Sequence, residues 1–158
     1  MSQDPIDVVR TILAAPTDFE AVSRLVAEDA TYMSLNFDNP DLKTLMPWCG
    51  TGHGPKAIVD TFIKVSRFWT VDSFEMLDVF GSGENVAMFG RFTYTSTKIC
   101  RTVTSPFAIL AKVVDGKLVY MQFMEDTFAT AMSFRTKGAW HFESDPDGSE
   151  VTVGAENA

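Results

Sequence analysis

Apolar positions along the chain follow two regimes: helical spacing as far as residue 68, then alternation with a period of two from residue 70 onward. Asp4 followed by Pro5 reads as an N-cap and first helical residue, with Ile6, Val9 and Leu13 on one face and a stop before Pro16. Thr17 and Glu20 are spaced as a capping box for a second helix, whose stripe is Phe19, Val22, Leu25 and Val26. Residues 30–35 read as a short strand. The stretch 36–53, rich in Asn, Pro and Gly, reads as an irregular loop placed where functional loops lie. Gly54 and Pro55 open a third helix, in which Ile58, Phe62, Val65 and Phe68 face a core.

The alternating segments cover 70–80, 85–97, 101–114 and 117–125. They are divided by Gly81-Ser82-Gly83-Glu84, a turn near Lys98 to Cys100, and Asp115-Gly116, the last a strong tight-hairpin signal. Consecutive antiparallel strands follow from this. Asp126 caps a last helix over 127–134, and Trp140, His141 and Phe142 read as an edge strand in an otherwise polar tail. Three helices followed by four long strands predict an α+β fold, with the helices on the concave side of a curved, cone-shaped antiparallel sheet. Residues 1–136 form the expected pocket domain and 137–158 a C-terminal extension, its acidic run from Glu143 to Glu156 a solvated tail or a cover for a partner chain.

Composition narrows the possible functions. At 158 residues the chain has the length of one ordinary domain and needs no disulfide or metal to build a core. Thirteen Lys+Arg against 21 Asp+Glu give a net charge of −8, which disfavours nucleic acid and anionic membrane surfaces as partners. No apolar run is long enough to span a bilayer, and MSQDPIDVVR has none of the parts of a signal peptide, so a soluble cytoplasmic protein is expected. Cys49 and Cys100 lack metal-type spacing, and the two histidines complete no metal set, so neither a metal nor a cofactor is expected. The 13 Phe, 3 Trp, 3 Tyr and 8 Met exceed what a plain scaffold requires, and an apolar cavity would use the surplus.

Local sequence adds a resemblance. Ala27-Glu28-Asp29-Ala30-Thr31, Gly52-His53-Gly54-Pro55-Lys56-Ala57-Ile58, Ser105-Pro106-Phe107-Ala108, Asp115-Gly116-Lys117-Leu118 and Tyr120-Met121-Gln122 occur in an order and spacing that resemble the nuclear transport factor 2-like superfamily. Within it they resemble the SnoaL-like and ketosteroid-isomerase-like proteins. The resemblance implies a cone whose mouth is lined by the concave sheet face, a homodimer through the outer sheet face, and a small, mostly apolar ring-containing ligand. It does not carry the chemistry of the ketosteroid isomerases across. Their catalytic base aligns with Ser34 and their second carboxylic acid with Ala108 or Ile109, so both carboxylates are absent. The Arg-x-Asp pair of limonene-epoxide-hydrolase-like members aligns with Arg91-Phe92-Thr93, which keeps the arginine alone.

Glu125 is then the candidate stand-in carboxylate, with Met121 and Phe123 on its side of the strand. Arg91 is its expected partner if it faces the cone; a solvated or interface arginine is the alternative. His53, just before a helix N-terminus, is a second acid/base candidate. Tyr32, Trp48, Trp69, Phe89, Tyr94, Phe107, Met121 and Phe123 are the expected ligand-binding residues. Two functions follow: cofactor-free acid–base catalysis of the isomerase, cyclase, dehydratase or hydratase type, or a non-catalytic ligand-binding or protein-interaction module of the same shape.

Overall fold

The structure is a computed structural model and describes residues 4–144 and 146–155. Helix α1 (Pro5–Ala14) starts where the sequence places it: the Asp4 carboxylate accepts from the Ile6 amide at 2.9 Å, and Val8, Val9 and Ile12 are buried. For α2 (Phe19–Leu25) the cap is Asp18, which accepts from the Ala21 amide at 3.0 Å, rather than Thr17. Val26 already has extended backbone, so strand β1 (Val26–Ser34) begins four residues earlier than the sequence pattern suggests.

Residues 36–53 are more ordered than a loop. They contain α3 (Pro40–Leu45), capped by Asn39 through the Leu42 amide at 2.9 Å, and β2 (Gly50–His53), which pairs antiparallel with β1 from Thr31↔His53 to Ser34↔Gly50. Asn39-Pro40 repeats the cap-and-proline signal of Asp4-Pro5. Both elements are too short for periodicity to reveal.

Helix α4 (Gly54–Ser66) leads into the four long strands β3 (Trp69–Ser82), β4 (Asn85–Ser96), β5 (Thr102–Val114) and β6 (Lys117–Glu125). The sheet order is β2-β1-β6-β5-β4-β3. β3 to β6 pair antiparallel in sequence order, and β1 lies parallel beside β6. At the β5–β6 turn Asp115 (φ 50°) and Gly116 (φ 76°) are both left-handed, which the tight two-residue hairpin requires. Register shifts at Val71/Ser73, Met76/Asp78 and Lys112/Val113 bend the sheet around the helices.

Val8, Val9 and Ile12 of α1, Val22 of α2 and Ile58 and Val59 of α4 close over Val86, Met88, Phe92, Ile109, Ala111, Leu118 and Met121 of the sheet. Each such aliphatic or aromatic side chain stabilises the fold by roughly 1.5–3 kcal/mol relative to an exposed one. Helix α5 (Thr127–Ser133) is capped by Asp126, which accepts from the Ala129 amide at 3.0 Å.

The tail departs from expectation. Trp140, His141 and Phe142 lie in β7 (Gly138–Phe142), which pairs with β8 (Val151–Ala155) in a separate two-stranded sheet instead of extending the edge of the large one. Trp140 packs edge-on against Phe128 of α5, ring centroids 4.7 Å apart. Asp145 and Glu156 of the acidic run lie outside the described residues, as do residues 1–3. Among the described residues no helix is long and apolar enough to cross a membrane.

Candidate functional site

Strand parity decides what faces the inside of the cone. On β4 the buried positions are Val86, Met88, Gly90, Phe92, Tyr94 and Ser96; on β6 Leu118, Met121 and Phe123 point inward, and Glu125 continues that alternation. On β1 Tyr32 and Ser34 are buried beside Met121 and Phe123 of β6. These strands and α4 enclose a cavity lined by Tyr32, Ser34, Leu35, Trp48, Thr61, Phe62, Val65, Trp69, Tyr94, Phe123 and Glu125. It leaves about 20 Å³ for the centre of a water molecule, room for roughly one water.

Trp48 and Trp69 form one wall edge to face, their planes 72° apart and their centroids 5.0 Å apart, backed by Phe68 and Phe134. The Trp69 indole donates to the buried Ser133 hydroxyl at 2.7 Å, fixing the wall to α5. Leu35, at the rim, holds φ 64°, a left-handed backbone uncommon outside glycine, and its amide donates to the Phe123 carbonyl at 2.8 Å. On the opposite side a stack of Phe74, Phe107 and Phe123 supports the sheet wall.

The cavity holds one carboxyl group, that of Glu125. Burial raises its pKa to about 7; the neighbouring Asp126 charge pushes the same way and the Thr130 hydroxyl pulls back. At neutral pH it therefore exists as acid and as base in comparable amounts, as reversible proton transfer requires. Burial also lifts the Tyr32 and Tyr94 phenols well above the tyrosine range, and the Glu125 charge adds to both shifts. Both remain O–H donors at any physiological pH. A carboxyl group that can take or give a proton, sharing a narrow aromatic space with two phenol donors, suits a substrate that develops negative charge on oxygen.

Of the expected site residues, Glu125, Tyr32, Trp48, Trp69, Tyr94 and Phe123 line this cavity together. Arg91 does not join them. It stands on the outer face of β4, directly opposite Glu75 of β3, and its Nη2 donates to the Glu75 carboxylate at 2.9 Å, with the two side chains 56% and 44% exposed. The reason is parity: Gly90 and Phe92 point inward, so Arg91 and Phe89 must point outward, and Phe89 is exposed. His53 is exposed at the N-terminus of α4 and makes no capping bond with its side chain. Phe107 and Met121 are buried in the core behind the cavity wall rather than lining it.

Sequence reasoning missed Ser34, Leu35, Thr61, Phe62 and Val65 as cavity residues. Ser34 occupies the position that aligns with the missing isomerase base, a signal available in the sequence. Phe62 and Val65 belong to the α4 stripe that reads as core. Cys49 is buried beside the site, its thiol pushed up by desolvation, and Cys100 is exposed; both are free. Among the described residues no three His, Cys, Asp or Glu side chains are placed to hold a metal ion.

Three comparisons bear on the chain. The sequence profile of the SnoaL-like domain matches residues 11–121. Patulin synthesis protein F of Aspergillus clavatus is 42% identical over 137 residues, covering 84% of this chain and 69% of the relative. Patulin biosynthesis cluster protein F of Penicillium expansum is 39% identical over 150 residues, covering 91% and 75%. A crystal structure of a nuclear transport factor 2-like protein from Burkholderia xenovorans superposes with a TM-score of 0.69 at 22% identity, over 85% of this chain and 98% of that one.

Proposed function

The chain belongs to the SnoaL-like domain family, of nuclear transport factor 2-like fold, and from that premise we propose that it is a cofactor-free acid–base enzyme of natural-product synthesis, acting on a small ring-containing molecule in an isomerisation or cyclisation. The observation that carries this is the half-buried Glu125, whose carboxyl pKa is raised to about 7 in an aromatic cavity beside two phenols. Glu125 removes a proton from carbon, exchanges it with solvent, and delivers a solvent-derived proton at a second position. Tyr32 and Tyr94 donate hydrogen bonds to the oxygen on which charge collects. The names of the fungal relatives place them in patulin synthesis. Carried to this chain, that makes the substrate an intermediate of such a synthesis.

The substrate need not be identified in advance for a test. Extract from a strain lacking the gene is incubated with the purified protein in D2O and followed by mass spectrometry. One accumulated metabolite should be consumed and its product should carry deuterium, with Tyr32→Phe and Tyr94→Phe each slowing the conversion by about 10- to 1000-fold. No consumption, or consumption without solvent-derived deuterium, would remove the proposal. A second reading, binding without turnover, is favoured by the narrowness of the cavity, and the same experiment separates the two.

The active unit is proposed to be a homodimer. Phe80, Phe89, Leu110 and Met124 are 55%, 48%, 46% and 41% exposed, an unusual cluster for one solvated sheet face. The register sets Ala108 between Phe89 and Met124, and Ala87 between Phe80 and Leu110. The exposed ion pair Arg91–Glu75 lies on β4 and β3, and Lys112 of β5 pairs with Glu84 in the β3–β4 turn. Phe89→Glu is expected to convert a dimer to a monomer in light scattering after size exclusion. A native protein that is already monomeric at micromolar concentration would refute the dimer.

A further inference from the structure

The cavity around Glu125 is too small for the class of molecule proposed above. A ring the size of benzene occupies a space of roughly 150 Å³ in a protein interior, against the 20 Å³ available here. Two larger spaces adjoin it. One is a groove of about 420 Å³ between the end of α1 and β3, lined by Arg10, Leu13, Ala14, Pro16, Phe62, Val71, Phe74, Met76 and Tyr94. The other, of about 170 Å³, is polar and contains Lys43, Asp60 and Lys64.

The partitions differ in how firmly they are held. The polar space meets the cavity at Tyr32, Trp48 and Thr61. Tyr32 is buried, and Trp48 is packed against Phe68, Trp69 and Phe134. The apolar groove meets it at Phe62 and Tyr94. Tyr94 is stacked on Phe92 at 4.1 Å. Phe62 is half-buried at the edge of the core cluster and makes no ring–ring contact among the described residues, so of the aromatic side chains in the two partitions it is the one held least. A rotamer change of one partly exposed side chain is fast and costs little.

We propose that the groove between α1 and β3 is the outer half of the substrate site, which takes the apolar ring of the substrate, and that the Phe62 side chain is the movable partition through which this ring reaches Glu125. This rests on the Glu125 cavity being the reaction site. Arg10, the groove's one charged lining residue, is exposed, which leaves the uncharged part of the ligand for the interior.

Two measurements test this without any turnover. In a Trp140→Phe background the remaining indoles, Trp48 and Trp69, are both buried cavity residues, so acrylamide quenching reports access to the cavity. Phe62→Ala and the milder Phe62→Leu should each raise the quenching constant several-fold while thermal unfolding stays cooperative. Calorimetric titration with 2-naphthol, a neutral aromatic ring, should show binding that Ala14→Trp and Val71→Trp, which fill the groove, each weaken by at least about tenfold. Quenching unchanged in both folded Phe62 variants, or 2-naphthol binding unchanged in both groove-filled variants, overturns the proposal. Neither result depends on Glu125, so failure of the partition and failure of the proposed chemistry are separately visible.

Discussion

Glu125→Gln is expected to lower turnover by about 10²- to 10⁴-fold, the usual range for loss of a positioned acid–base group, and at the same time to make the protein more stable above neutral pH. Both effects come from one fact. The folded protein holds the Glu125 proton up to about pH 7, whereas the ordinary value is 4.5. Between those values the unfolded chain releases a proton that the native state keeps. The stability contributed by the buried neutral carboxyl group is therefore complete below about pH 4.5, declines as pH rises, and is lost above about pH 7. A difference of this size corresponds to about 3 kcal/mol. Glutamine has nothing to ionise, so the variant should match the native protein in thermal melts at pH 4.5 and exceed it at pH 8.5. An inactive variant that is also less stable at pH 8.5 would mean that the carboxyl group serves the fold.

The second large effect is expected far from any ionisable group. A methyl group on Gly90 would lie 2.1 Å from the Glu75 carbonyl oxygen and 2.5 Å from the Phe107 ring. The carbonyl belongs to the neighbouring strand, beside the register shift between Met76 and Asp78, and cannot withdraw without breaking the β3–β4 pairing. The Phe107 ring is confined by Phe74 at 4.4 Å and Phe123 at 5.5 Å. Gly90→Ala should thus cost about 3 kcal/mol or more, at the upper end for overpacking, measured by urea denaturation. Because Phe123 lines the cavity, the surviving folded fraction should also show altered Trp48 and Trp69 fluorescence. Adding Phe107→Leu should recover only part of the loss, since the carbonyl contact remains. A variant of native stability would show that β3 can move away from β4 at this point.

Much of the fold could be read from local chemistry. Asp4-Pro5 and Asp126 declare their helices by capping, and Asp115-Gly116 declares its hairpin by the left-handed backbone those residue types tolerate. What stayed hidden was short or depended on distant partners. α3 and β2 hold too few residues to show a period, and β7 finds its partner in β8, across a polar stretch that reads as tail.

The site divides in the same way. Glu125 could be found because Met121 and Phe123 set its parity. For Arg91 the local pattern decides between the two readings: Val86, Met88, Phe92 and Tyr94 put the even positions of β4 inside, so the arginine is the solvated one. Phe89 and Tyr94 have opposite parity and could not both line one cavity. Thr61 could not be assigned from residue type, since a small polar side chain carries no periodic signal; only the closing of α4 over β1 brings it into the cavity.

All the chemistry rests on the protonation of one side chain, and that can be observed directly. Carbon-13 NMR of glutamate-labelled protein, with the Glu125 carboxyl signal assigned by its loss in Glu125→Gln, gives the titration midpoint of this group in the folded state. A midpoint near 7 is predicted. A midpoint near 4.3, the value of a solvated glutamate, would contradict it: the carboxyl group would then be a hydrated anion, and the cavity would lack the proton donor and acceptor on which the proposed enzyme depends.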